Sequence, residues 1–216
     1  NMKTELEFSD KVRIYLCGVT VYDEAHIGHA RTIIVFDVLR RFLESQNIPV
    51  EFVQNFTDVD DKIIERAHEK NVPALELAAK YIEHYFTDFD RLNVKRATSY
   101  PKATDHINDM HNLISNLVDK KYAYLTKNGV YFSVSKFSEY GKLSKKKTGD
   151  LVAGARVIVD EEKNDPLDFA LWKFSETEPF WNSPWGNGRP GWHIECSAMS
   201  LKYLGENFEI HGGGRD

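Results

Sequence analysis

The chain has 216 residues, room for one large domain or for a domain carrying a sizeable insertion. Hydrophobic residues make up 42% and charged residues 28%, the balance of a globular protein; a net charge of −5 argues against indiscriminate coating of nucleic acid but leaves room for a local basic face. Only two cysteines occur, Cys17 and Cys196, which excludes a disulfide framework and suits a reducing cytoplasm.

Met2 to Lys11 is polar and acidic, so no secretory leader is expected. No apolar run approaches the roughly 20 residues that cross a bilayer, and no membrane is expected as a partner. Val12 to Thr20 then reads as a strand ending in a glycine turn. His26-Ile27-Gly28-His29 follows and opens an apolar-rich helical stretch, Arg31 to Leu43, with Arg40 and Arg41 near its end, where cations suit the helix dipole. Pro49 to Phe56 is a second strand, and Thr57-Asp58 is the expected cap of the next helix. Strand–helix–strand–helix order with short connections implies a parallel sheet and a nucleotide-binding α/β fold.

Pro73 to Leu92 is an amphipathic helix, and Asp105 to Lys120 another, with Ile107, Met110, Leu113, Ile114 and Leu117 at helical spacing. Tyr122 to Val134 alternates around Asn128-Gly129, a hairpin signal. From there to Pro190 the chain is first lysine-rich and then rich in turn residues and tryptophan, the texture of an insertion between two halves of a sheet. Gly191 to Leu204 returns to helix, and Phe208 to Gly214 to strand and glycine loop.

His26-Ile27-Gly28-His29 points most directly at a reaction. Backbone N–H groups at a helix N-terminus attract phosphate. Gly28 removes a side chain that would hold an adenine ring or a phosphate off the backbone. His26 and His29 can donate hydrogen bonds to phosphoryl oxygens as charge builds on them. The plainer alternative is that both histidines only cap the helix; their pairing across a glycine at a strand-to-helix turn favours function. Cys17 and Cys196 are both expected near strand ends, where such folds bind ligands, the alternative being two buried free thiols. His211 with Gly212, Gly213 and Gly214, and Asp216 two residues on, forms a backbone that can lie against a base or ribose; a flexible loop is the alternative. Lys142-Leu-Ser-Lys-Lys and Lys145-Lys146-Lys147 read as solvated basic loop. Asp58, Asp60 and Asp61 read as helix capping and first-turn charge rather than a metal cluster.

Cys17-Gly-Val-Thr-Val-Tyr-Asp, Ala25-His-Ile-Gly-His-Ala-Arg, Thr57-Asp-Val-Asp-Asp-Lys, the segment from Ser183 to Met199 and His211-Gly-Gly-Gly occur in one order. Together they resemble the cysteinyl-tRNA synthetases, a class I aminoacyl-tRNA synthetase family, from about Val12 to Asp216. The resemblance implies a Rossmann-like nucleotide-binding parallel sheet interrupted by a smaller connective insertion. Residues 1–120 would be the first half of the catalytic domain, 121–190 the insertion and 191–216 the start of the second half. It implies ATP-dependent activation of L-cysteine to cysteinyl-adenylate, with ATP and Mg as substrate, then transfer to tRNA(Cys), by a cytoplasmic monomer.

By the same resemblance His26 and His29 hold phosphate oxygens, Gly28, Gly212, Gly213, Gly214 and Asp216 shape the nucleotide site, and Gly18, Thr20 and Trp192 line the amino-acid pocket. Cys17 and Cys196 correspond to two zinc ligands, the remaining histidine and glutamate being expected beyond residue 216. The metal has a physical rationale. An apolar pocket separates substrates differing by one small group only about 10–200-fold, whereas zinc strongly prefers a thiolate to a hydroxyl. The lysine-serine loop and the anticodon-reading domain are also expected beyond residue 216, so these 216 residues alone are expected to be inactive. Two other readings stay open: a cysteine ligase of the mycothiol pathway, and a truncated, non-catalytic nucleotide- or RNA-binding paralogue.

Overall fold

The computed structural model describes residues 5–145 and 163–214; Asp216, and Lys146 and Lys147 of the basic run, lie outside them. In chain order the regular elements are β1 (Val12–Leu16), α1 (Ile27–Ser45), β2 (Val50–Gln54), α2 (Asp61–Lys70), α3 (Ala74–Arg91) and α4 (Ile107–Asp119). There follow β3 (Ala123–Leu125), β4 (Gly129–Phe132), β5 (Phe169–Phe174), β6 (Gly188–Pro190), α5 (Trp192–Leu204) and β7 (Ile210–Gly212). The described residues divide into two units: 5–106 with 199–214, and 107–145 with 163–198.

The first unit is built on the expected parallel sheet, in the order β2-β1-β7. β1 is its centre, and Val12, Ile14 and Tyr15 are fully buried, so both faces of the strand are covered; half-buried Arg13 alone interrupts its apolar sequence. β1 runs in register with β2 from Val12↔Val50 to Leu16↔Gln54, and with β7 from Ile14↔Ile210 to Leu16↔Gly212. Phe52, Phe56, Ile63, Tyr81, Tyr85 and Phe89 complete the core. Phe56 meets Tyr85 and Phe86 edge-on at 5.0 and 5.5 Å and stacks on Tyr100 at 5.5 Å, geometries that aromatic quadrupoles favour. Arg13 grips Glu209, donating its backbone N–H and Nε to Oε2 at 2.7 and 3.1 Å and Nη2 to Oε1 at 2.7 Å; its Nη1 also donates to the Leu204 carbonyl. The guanidinium holds the Glu209 carboxyl down at about 2. One ion pair thus ties the approach to β7 onto β1.

Two local expectations change. Arg40 and Arg41 do not sit in the last turn of α1, which runs on to Ser45. Arg40 is buried, its Nε on Glu44 and its Nη1 on the Arg96 carbonyl, while Arg41 pairs with Asp37 and donates to the Asn93 carbonyl. These cations therefore fasten α1 to residues 93–96 instead of meeting the helix dipole. The cap of α2 is Asp60, whose carboxylate accepts from Lys62 N at 3.0 Å. Asp58 turns inward and accepts both the Thr104 backbone N–H at 3.0 Å and the Thr104 hydroxyl at 2.6 Å.

The second unit carries an antiparallel sheet in the order β3-β4-β5-β6. The Asn128-Gly129 signal falls at the β3–β4 turn. Gly129 has φ +156, and a Cβ there would lie 2.1 Å from the Trp172 carbonyl oxygen on β5, so strand approach as well as backbone angle demands glycine. Buried Asp168 accepts the Tyr124 hydroxyl at 2.7 Å and the Val134 N–H at 2.8 Å. All four tryptophans belong to this unit. Trp172 is fully buried, donates Nε1 to the Gly186 carbonyl at 3.2 Å and meets the His111 ring edge-on at 4.6 Å.

Candidate active site

The turn into α1 brings His26, Gly28 and His29 together. His26 is the N-cap, and its Nδ1 accepts the backbone N–H groups of Gly28 and His29 at 3.1 and 3.4 Å. His29 reciprocates: its Nδ1 accepts the His26 backbone N–H at 3.3 Å. The result is a capping box made from two imidazoles, with the rings stacked at 3.7 Å and 17° apart. Because each Nδ1 is an acceptor, the neutral form of each ring carries its proton on Nε2. Two Nε2–H donors therefore stand at the helix N-terminus. Burial, and then the neighbouring His26, pull the His29 imidazole below its ordinary value, favouring the neutral donor. A Cβ on Gly28 would fall 2.8 Å from the His26 ring, so this glycine makes room first for the histidine box itself.

A cavity of about 590 Å³ opens beside this turn, lined by His26, Ile27 and Arg31 from α1 and by Asp88, Phe89 and Leu92 at the end of α3. It is a largely apolar recess with three ionic groups, Arg31, Asp88 and Arg91, and a histidine on its wall, the general character of a small-molecule site.

The carboxyl ends of β1 and β7 gather a second group. Cys17 is half-buried, its N–H donates to the Gly212 carbonyl at 2.8 Å, and its Sγ lies 3.4 Å from Nε2 of His211. Tyr15 and Phe208 flank the His211 ring at 5.3 and 5.9 Å. A Cβ on Gly212 would lie 2.3 Å from the Phe36 ring of α1, so Gly212 serves close helix–strand packing; Gly213 and Gly214 are exposed beyond it. Thr20 forms a parallel bridge with Thr57. Gly18 N donates to Oδ1 of fully buried Asn55 at 2.9 Å. Sequence reasoning missed Asn55 and the approach of His211 to the Cys17 thiol, and it read Asp58 only as a helix cap; each depends on a partner far along the chain.

Trp192 and Cys196 belong to the second unit. Trp192 opens α5 and is 54% exposed, and half-buried Cys196 lies four residues on, about one helical turn along the same face. Among the described residues no three His, Cys, Asp or Glu side chains gather into a metal site. No described helix is long and apolar enough to cross a membrane.

A family model described as the catalytic domain of class I (C) tRNA synthetases matches residues 4–216. A cysteine–tRNA ligase of Thermodesulfovibrio yellowstonii is 61% identical over 211 residues, covering 95% of this chain and 43% of that protein. One of Carboxydothermus hydrogenoformans is 58% identical over 219 residues, covering 99% of this chain and 47% of that protein. The chain thus spans less than half the length of these curated relatives. Among solved structures, Mycobacterium tuberculosis methionyl-tRNA synthetase in complex with methionyl-adenylate superposes with a TM-score of 0.71 at 13% identity, over 92% of this chain and 47% of that one, a likeness of fold.

Proposed function

The chain belongs to the class I (C) tRNA-synthetase catalytic-domain family, and on that premise we propose that it supplies the adenylate-forming part of a cysteine–tRNA ligase. The reading is one of a cytoplasmic monomer that takes ATP with Mg, L-cysteine and tRNA(Cys). Residues 1–120 are its first catalytic half, 121–190 the connective insertion and 191–216 the start of the second half.

In the first step the cysteine carboxylate attacks the α-phosphorus of ATP in line, and pyrophosphate leaves. Such transfers depend mainly on positioning and on stabilising charge at the phosphoryl oxygens. The Nε2–H groups of His26 and His29 donate to those oxygens, aided by the N-terminal field of α1. Because the capping box holds both rings before substrate arrives, little reorganisation remains at the moment of reaction. Gly28 keeps the turn close-packed, and Gly212, Gly213, Gly214 and Asp216 border the nucleotide. Gly18, Thr20 and Trp192 face the amino acid.

The donor chemistry suits zinc in part: Cys17 offers a thiol, one of the side chains that zinc takes, with an imidazole nitrogen 3.4 Å from its Sγ. Cys17 and Cys196 would hold the ion, with a histidine and a glutamate from beyond residue 216. When bound, the metal supplies a soft acceptor for the substrate sulfur, which serine cannot satisfy.

The observation that carries the reading is the reciprocal histidine box at the α1 N-terminus, in a chain 61% identical to a cysteine–tRNA ligase. The test is ATP–pyrophosphate exchange by this chain joined to the remaining part of the Thermodesulfovibrio yellowstonii relative. Exchange that depends on cysteine and ignores serine is expected. Equal exchange with serine, or ligation of cysteine to an amino sugar in place of tRNA, would replace the reading.

A further inference from the structure

We propose that Asn55 is a positioning residue for the thiol-recognising end of the site, an inference that rests on the ligase reading. β1 and β2 pair in register as far as Leu16↔Gln54. One residue on, Cys17 stays bound to β7 through the Gly212 carbonyl. On the β2 side the next donor, Gly18 N, is taken by the Asn55 side chain at 2.9 Å. Main-chain pairing then resumes, with Thr57 N donating to the Val19 carbonyl at 3.1 Å and Val21 N to the Thr57 carbonyl at 3.2 Å. The Asn55 carboxamide therefore fills the one gap in main-chain pairing just past the carboxyl ends of β1 and β2, the end of the sheet on which open parallel folds bind ligands.

The crossing is very close: a Cβ at position 18 would lie 1.5 Å from the Asn55 carbonyl oxygen. Asn55 is fully buried and Gly18 half-buried, so without its Oδ1 the Gly18 N–H would lose a partner that the solvent does not readily replace. Gly18 lies between Cys17, whose Sγ stands 3.4 Å from His211 Nε2, and Thr20, which bridges to Thr57. By holding Gly18, Asn55 sets the direction of the Cys17 thiol and the height of Thr20 without itself reaching the ligand.

The test compares the native chain with Asn55→Leu, which keeps the branched shape with somewhat more bulk but removes the acceptor, and Asn55→Asp, which keeps both shape and acceptor. Iodoacetamide labelling followed by peptide mass spectrometry gives the rates of Cys17 and Cys196, the latter an internal reference. A Cys17/Cys196 ratio changed by about fivefold or more is expected in Asn55→Leu, the scale of one orphaned buried donor. An unchanged ratio in a folded Asn55→Leu chain overturns the proposal. Should Asn55→Leu fail to fold, amide exchange decides: Gly18 N–H is expected to be protected in the native and Asn55→Asp chains, and free exchange in either overturns it. In the extended ligase, Asn55→Leu is expected to raise KM for cysteine about tenfold with kcat nearly unchanged; an unchanged KM counts against it. Labelling and amide exchange need no substrate, so an absence of cysteine-dependent exchange in the native enzyme would remove the ligase reading alone.

Discussion

His26 and His29 cap each other: Nδ1 of each ring accepts the other residue's backbone N–H, at 3.4 Å from His29 N and 3.3 Å from His26 N. The same two side chains thus start α1 and keep Nε2–H outside the box, and the two roles can be separated. Asn is a good N-cap but has no group in place of Nε2–H. His26→Asn is expected to leave the melting temperature nearly unchanged while lowering ATP–pyrophosphate exchange in the extended ligase by about 10²–10³-fold. Thermal melts beside exchange kinetics check both halves, and equal losses in the two would mean that the histidine only caps.

His29 gives a pH dependence. Its folded value lies below the ordinary 6.5, first through burial and then through His26. The unfolded chain therefore binds the proton more readily, so stability from this site is full above 6.5 and is lost as pH falls through the lower folded value. Urea unfolding of native chain and His29→Gln should show the native chain losing more stability as pH falls below the ordinary imidazole value of 6.5.

Glu209 acts in a lower window. Arg13 holds its carboxyl at about 2 against an ordinary 4.5, so the contribution is full above 4.5 and is lost as pH falls through about 2. Glu209→Gln is expected to be less stable than native at neutral pH, with the difference shrinking in acid. A difference that does not vary with pH would show that the pair contributes shape and not charge.

Gly18→Ala should be far more damaging than a methyl group suggests. Its Cβ would meet the Asn55 carbonyl oxygen at 1.5 Å, a backbone atom that cannot move alone. A loss of more than about 3 kcal/mol is expected, read from denaturant midpoints. Gly205→Ala has no heavy atom within 4 Å of its added Cβ, but carries φ +83 and should show only the milder cost of backbone strain.

The first strand, helix and second strand were legible because four of the five residues of β1 are apolar and an apolar-rich stretch follows the His26 turn, both properties of local sequence. The return to strand at Phe208 to Gly214 was also readable, from chain order, and the β3–β4 hairpin from Asn128-Gly129. What escaped depends on partners far along the chain. Asp58 looked like a cap because it precedes a helix, yet Thr104, 46 residues on, claims its carboxylate. Arg40 and Arg41 looked like dipole partners, but residues 93–96 present carbonyls to them. Asn55 was invisible for the same reason: its use depends on Gly18 passing overhead, 37 positions away.

The placing of every indole in residues 107–198 makes this protein its own two-colour indicator. Emission excited at the red edge watches only the antiparallel half, chiefly through Trp172 in its sealed position, while tyrosine absorbance also follows Tyr15, Tyr81 and Tyr85 in the half that holds the histidine box. If the halves melt at different temperatures, the two signals will part, and no label need be attached to see it.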